Sequence, residues 1–174
     1  MWTPYLTIQE VNNLESDRFI KIFGNVVEHC LTAAIGILKN RPFNNIDDVV
    51  RAIYSYLDGL ETQKKEQILQ LYPDSVSQLA GFSNSFLEFN THQKIIDCKS
   101  TSLRFEDKKR LKQLCKDYKE KHGFPFIICS KEDNIDHLCL EIEARLNNNK
   151  NEEIETGLRE VKKICKLRIY EIIK

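Results

Sequence analysis

Apolar residues recur at intervals of three and four along most of this chain, and helix-breaking residues are scarce. Only six glycines and four prolines occur among its 174 residues. Residues three and four positions apart lie on one face of an α-helix, and few breakers permit long helices. No stretch rich in Gly, Pro or Ser divides the chain, and its length suits one domain. The sequence therefore predicts an all-α fold, a single compact helical domain of about seven or eight helices over residues 1–174.

Seven segments carry the helical pattern, and several have recognisable end signals. We predict helices within residues 16–23, 31–38, 47–60, 62–71, 111–118, 138–146 and 158–172. Ser16 is the predicted N-cap of the first segment, and Asn45 or Asp47 opens the third. Gly123 is predicted to end the fifth helix, and His122 to cap the same end.

Two segments between the predicted helices have a different character. Residues 74–101 are rich in Ser and Asn and lack a clean period, so we predict a long irregular segment with one short helix. Such a segment inside a helical domain more often carries function than not. Residues 124–129 form a short apolar run with a proline, which predicts a buried extended connection.

Charge and composition exclude several classes of function. Lys plus Arg equals Asp plus Glu at 26 each, and the basic patches lack a stacking platform, so we expect neither a nucleic-acid nor a membrane partner. The N-terminus lacks a signal-peptide pattern and the C-terminus lacks a peroxisomal serine-lysine-leucine address, so we expect a cytoplasmic protein. The six cysteines show no metal-ligand spacing, which favours small buried hydrophobic residues over a metal site or disulfides.

Three motifs, in a fixed order, carry a family resemblance. They are Leu71-Tyr72-Pro73-Asp74, Gly123-Phe124-Pro125-Phe126-Ile127-Ile128, and Val161-Lys162-Lys163-Ile164-Cys165-Lys166-Leu167-Arg168. Together they resemble the 2-oxo-4-hydroxy-4-carboxy-5-ureidoimidazoline (OHCU) decarboxylases of urate breakdown. Shorter matches support the resemblance from about Val11 to Ile172: Phe23-Gly24-Asn25, Glu28-His29-Cys30, Arg41-Pro42-Phe43 and Arg145-Leu146.

The resemblance implies a fold, a reaction and partners. Members of this family are all-α proteins without a cofactor, usually homodimers, that decarboxylate OHCU to (S)-allantoin. The implied partners are a small-molecule ureidoimidazoline substrate, or a related ligand, and a second copy of the chain. Loss of carbon dioxide leaves electron density that must be stabilised, and a positioned acid must then deliver a proton to one face.

The family's site residues carry over to numbered positions of this chain. Tyr72 stands where the family has its catalytic histidine, and Arg168 matches an arginine suited to a carboxylate or ureido oxygen. Glu88 is the third residue of the implied catalytic set. The implied substrate-binding residues are Pro73, Ser85, Phe126, Ile127, Ile128, Cys129 and Ser130.

The family's Ser-x-x-Glu-Gln stretch has two possible positions here. One alignment places Ser85 and Glu88 there and loses the glutamine; the other places residues 91–95 there and puts Lys94 at the glutamate. His92, in the same segment, is a candidate replacement for the missing histidine. Both alignments stay open.

Tyr72 leaves two hypotheses for function. An unperturbed tyrosine has a pKa of about 10 against about 6.5 for histidine, so it exchanges protons poorly near neutrality. Under the first hypothesis the chain is an OHCU decarboxylase that uses Tyr72 or His92 with Arg168. Under the second it is a catalytically silent relative that binds a ligand or a protein partner through the same fold.

Overall fold

The structure is a computed structural model that describes residues 5–73, 105–129 and 135–174, and within these it is helical. The helices are α1 (Ile8–Asn13), α2 (Ser16–Phe23), α3 (Leu31–Leu38), α4 (Ile46–Asp58), α5 (Thr62–Gln70), α6 (Phe105–His122), α7 (Ile135–Leu146) and α8 (Lys150–Ile172). A single bridge between Leu6 and Ile173 is the extended pairing found in this part of the chain. The all-α prediction is confirmed.

Side-chain caps explain where three of the helices begin. The Thr7 side chain accepts from the Glu10 backbone while the Glu10 carboxylate accepts from Thr7, a capping box that starts α1. Asn149 starts α8 in the same way with Glu152. The Asn45 side chain accepts from the Asp48 backbone N–H and caps the start of α4. Of the two predicted residues, Asn45 and Asp47, the N-cap is therefore Asn45.

The start of α2 differs from the prediction, whereas the C-terminal end of α6 agrees with it. Ser16 is the first residue of α2 rather than its N-cap; the extended residue before the helix is Glu15, whose side chain makes no cap bond. Gly123 follows α6 with φ of +85°, a left-handed conformation that favours glycine and ends the helix as predicted.

The long C-terminal helix α8 organises the packing. It packs against α4 and α5, while α6 packs on α7, and α3 contacts both α2 and α4. At the crossing with α5, a Cβ on Gly157 would lie 3.2 Å from the Leu69 methyl carbons, so the two helices approach closely there. Buried residues of α8 form one stripe, which includes Leu158, Cys165 and Arg168.

The cysteines of the described residues behave as apolar side chains. Cys30, Cys139 and Cys165 are buried, which confirms the prediction for these three, and Cys115 and Cys129 are half-buried. None of these five forms a disulfide with another of them. Among the residues that the structure describes, no three His, Cys, Asp or Glu side chains are grouped as metal ligands. No helix in this part of the chain is long and apolar enough to cross a bilayer.

Candidate active site

Tyr72 lies directly after α5 and points into the protein. Its side chain is 6% exposed, and its backbone N–H donates to the Leu69 carbonyl oxygen at 3.3 Å. The hydroxyl has no hydrogen-bond partner among the described residues. Pro73, the next residue, is half-buried. The predicted catalytic position is therefore inside the fold rather than on its surface.

Arg168 of α8 is buried and joined to the loop between α2 and α3. Its Nη1 donates to the carbonyl oxygens of Asn25 at 2.9 Å and Val26 at 3.4 Å. Its Nη2 lies 2.6 Å from Oε2 of Glu28, a carboxylate that is itself only 3% exposed. This loop therefore supplies a charge partner and two backbone acceptors that hold the guanidinium in one orientation.

Electrostatics link Tyr72 to Arg168 and to the Cys165 thiol. Burial raises the pKa of the Tyr72 phenol well above its ordinary value, the Cys165 thiol raises it further, and the positive charge of Arg168 opposes the shift. Burial likewise raises the pKa of Cys165 to about 12, and its Sγ donates to the Val26 carbonyl at 3.2 Å. Both groups are therefore neutral at physiological pH, beside a buried ion pair.

The segment after α6 contacts α8, the helix that carries Arg168. Phe126 and Ile127 are buried, and Ile128 and Cys129 are half-buried. The segment contacts α8 through the Cys129 N–H, which donates to Glu160 Oε2 at 2.9 Å. Burial raises the pKa of Tyr54 of α4, and the thiols of Cys165 and Cys129 raise it further.

This arrangement offers particular chemistry. Tyr72 is a permanently protonated donor in a place with little solvent, and Arg168 is a fixed positive charge next to it. Glu28 compensates that charge, so the ion pair as a whole is close to neutral. The site therefore combines a neutral hydroxyl donor with a buried guanidinium whose charge Glu28 compensates.

His122 does not cap α6, and that prediction is wrong. Its side chain is 1% exposed, and neither ring nitrogen has a hydrogen-bond partner in the described ranges. The ring packs on Tyr118 at a centroid distance of 4.6 Å and on Phe124 at 6.0 Å. Burial lowers the pKa of His122, so the imidazole is held neutral in the folded protein.

The structure describes only part of the predicted site. Tyr72, Pro73, Arg168 and residues 126–129 lie in described segments. The remaining predicted residues lie outside them: Ser85, Glu88, His92, Lys94 and Ser130. The prediction of an irregular segment over 74–101 lies outside them too. Sequence reasoning missed Glu28 as the partner of Arg168, although the Glu28-His29-Cys30 match marked this stretch as part of the family pattern.

Solved structures with the same fold are known. The chain superposes on a structure titled crystal structure of (S)-allantoin synthase with a TM-score of 0.76 and 19% identity over 96% of its length. It spans 54% of that longer chain. A structure titled OHCU decarboxylase in the presence of (S)-allantoin matches with a TM-score of 0.60 and 19% identity, over 79% of this chain and 87% of the other. These likenesses establish the fold.

Sequence comparisons cover nearly the whole chain. The OHCU decarboxylase family profile matches residues 12–170. The OHCU decarboxylase of Amia calva is 34% identical, over 97% of this chain and 95% of the relative. The Xenopus laevis protein of the same name is 31% identical, over 96% and 94%. An archaeal relative with that name, from Haloferax volcanii, is also 31% identical, over 95% of each chain. On these matches, the chain belongs to the OHCU decarboxylase family.

Proposed function

We propose that this chain decarboxylates OHCU to (S)-allantoin, the step of urate breakdown that its family resemblance implies. The names of relatives that match over nearly their full length support this substrate. The observation that carries the proposal is the family match over residues 12–170, together with the burial of Arg168 at the position of the family's arginine.

The proposed step needs a charge and a proton. The bond between the carboxylate and the hydroxyl-bearing ring carbon breaks, and carbon dioxide leaves. The electron pair forms a double bond to the neighbouring ureido-bearing carbon, and the ring nitrogen of that carbon's former C=N bond takes up a proton from solvent. Arg168 stabilises the developing negative charge. The phenolic proton of Tyr72 is then transferred to one face of the ureido-bearing carbon, which sets the S configuration. The ring hydroxyl loses its proton and becomes the carbonyl of allantoin, and solvent returns a proton to the phenolate. No cofactor enters this step.

The raised pKa of Tyr72 shapes the expected rate and its pH dependence. The phenol stays protonated throughout the neutral range, so the donor is always loaded, but it is a weaker acid than an imidazolium. A well-matched general acid typically contributes about 10²–10⁴-fold to a rate. We therefore propose an enzyme slower than one with histidine, whose rate is flat between about pH 6 and pH 8.

The substrate-binding set is proposed from the same resemblance. We propose that Pro73 and the backbone of residues 126–130 bind the ureidoimidazoline, whose amide-like N–H and C=O groups complement peptide groups. Ser85 and Glu88 are proposed to orient the ureido group, with Lys94 in the position of the glutamate under the alternative alignment.

A second candidate function is a silent relative that binds a purine-catabolite-like ligand or a protein partner. The bonding of Arg168 favours it: two backbone carbonyls and the Glu28 carboxylate already engage the guanidinium. A phenol whose pKa is raised by burial favours it as well. Under this alternative the site is retained for shape and stability.

The assembly and location of the protein are also proposals. We propose a homodimer in the cytoplasm, as the resemblance and the sequence signals suggest. Light scattering on a size-exclusion column should give about twice the 20.4 kDa chain mass. A mass equal to one chain would overturn the dimer without touching the proposed reaction.

Three proteins test the proposed reaction. OHCU is generated enzymatically, and its decay and the chirality of the allantoin are followed by circular dichroism. Wild type should accelerate decay and yield the S enantiomer, Tyr72→Phe should lose the stereoselectivity, and Tyr72→His should exceed wild type. If the rate of OHCU decay and the chirality of the allantoin are the same with wild type as without protein, and (S)-allantoin binds tightly, the silent relative would be favoured.

A further inference from the structure

Two charged side chains bind backbone groups of residues 124–129. The Ile127 carbonyl oxygen accepts from Arg145 Nη1 at 2.7 Å, and the Cys129 N–H donates to Glu160 Oε2 at 2.9 Å. Two backbone groups, two residues apart, are thus held by charged side chains from α7 and α8.

Arg145 is itself fixed by a buried network. Its Nε donates to Oε1 of Glu153, which is 0% exposed. The Tyr118 hydroxyl donates to the same oxygen at 2.5 Å, and Asn148 Nδ2 donates to the other at 2.9 Å. The guanidinium carbon lies 4.5 Å from the centre of the Phe126 ring. These contacts hold the Arg145 guanidinium in one position, and its hydrogen bond therefore holds the Ile127 carbonyl group as well.

Glu160 lies on α8, the helix that carries Arg168, and binds the C-terminal end of the segment at Cys129. Its side chain is 13% exposed, and Oε1 pairs with Lys163 at 2.6 Å while Oε2 accepts from Cys129. Eight residues separate Glu160 from Arg168, about 12 Å along a continuous helix. One rigid element therefore sets the distance between the segment and the buried guanidinium.

Buried ion pairs of this kind are weak contributors to net stability compared with apolar packing of the same volume. Their directional bonds instead specify where a backbone lies. We propose that Arg145 and Glu160 are positioning residues that hold residues 126–129 in register with Arg168 for ligand binding. This inference rests on the proposed function, because it assigns the segment a ligand, yet neither residue is placed in contact with that ligand.

Glu160 offers the cleaner test, because Arg145 lies in the core and its replacement endangers folding. Glu160→Ala removes the acceptor for the Cys129 N–H, whereas Glu160→Gln keeps an oxygen there. Glu155→Ala is the matched control: Glu155 lies on the same helix and pairs with Lys65 at 2.9 Å, away from the segment. Amide hydrogen exchange of residues 124–129, melting temperature and (S)-allantoin titration are measured for all four proteins.

The expected pattern separates positioning from stability. Glu160→Ala should speed exchange in the segment and weaken (S)-allantoin binding about fivefold, the size of one lost hydrogen bond. Glu160→Gln should bind within about twofold of wild type, and Glu155→Ala should match wild type in exchange and binding. In turnover, the change should appear in KM while kcat stays near the wild-type value. A common drop in melting temperature for both alanine variants, with unchanged exchange and binding, would overturn the proposal.

Failure of the proposed function gives a different result. If wild type neither binds (S)-allantoin nor accelerates OHCU decay, the reaction assigned to the site is wrong. The exchange measurement still decides the structural half of the inference, since faster exchange in Glu160→Ala alone would show that Glu160 holds the segment. Equal exchange in wild type and Glu160→Ala would overturn that half independently of any ligand.

Discussion

Replacing Tyr72 by phenylalanine should stabilise the protein while impairing its chemistry. The hydroxyl is buried and has no hydrogen-bond partner among the described residues. An unpaired buried polar group costs about 1–3 kcal/mol, and phenylalanine fills the same space without it. The Glu28 backbone N–H, the Cys165 thiol and the Arg168 charge act on the phenol without a hydrogen bond of ordinary geometry, and they offset part of that cost. We therefore expect a gain of about 1–2 kcal/mol. In a domain of this length the gain corresponds to about 2–8 °C in Tm.

Thermal and urea unfolding measure this gain, and Tyr56→Phe is the control. The Tyr56 hydroxyl donates to Thr32 Oγ1 at 3.1 Å, so its removal should cost about 0.5–1 kcal/mol rather than stabilise. Equal m-values in urea would show that both variants unfold from comparable native states. A drop in Tm of more than about 2 °C for Tyr72→Phe would refute the reasoning, because it would mean that the hydroxyl makes a stabilising bond in the native state.

Two further predictions concern buried charge. Glu28→Ala removes the carboxylate 2.6 Å from the Arg168 guanidinium and leaves that charge buried. The free energy of unfolding measured in urea should therefore fall by about 3–5 kcal/mol. A loss below about 1 kcal/mol would contradict the interpretation of Glu28 and Arg168 as a buried ion pair. Because burial lowers the pKa of His122, the unfolded chain takes up the proton first as pH falls below about 6.5. Stability should therefore fall below that pH, and His122→Phe should flatten the slope between about pH 7 and pH 5; parallel pH profiles would contradict the assignment.

The helical fold was predictable because amphipathic periodicity is local. Helices α2 to α8 correspond to the seven periodic segments, and Gly123 ends α6 as its conformational freedom suggests. The short helix α1 was missed because only Val11 of its six residues is buried, too few for a periodic stripe. Its capping box, Thr7 with Glu10, was the available signal. Helix α8 begins at Lys150, ahead of the predicted segment 158–172, and its start is likewise marked by a capping box, Asn149 with Glu152.

The sequence allowed predictions about single positions of the candidate site, but not about the tertiary contacts between them. Family order drew attention to Tyr72 and Arg168, and both are buried. The carboxylate bound to Arg168 lies 140 residues away in sequence, and no local period encodes such a pairing. His122 was misjudged for a similar reason: its helix-end position suggested a cap, whereas the tertiary contact with Phe124 and the packing on Tyr118 bury it.

The stereochemistry of the product tests the central claim most directly. OHCU formed in situ at neutral pH is allowed to react with and without the wild-type protein, and the circular dichroism of the resulting allantoin is recorded. The account predicts that the wild-type protein forms allantoin faster than the uncatalysed control and with an enantiomeric excess of (S)-allantoin. It also predicts that Tyr72→Phe loses that excess. Racemic allantoin formed at the uncatalysed rate would contradict the claim that Tyr72 and Arg168 form a working decarboxylase site.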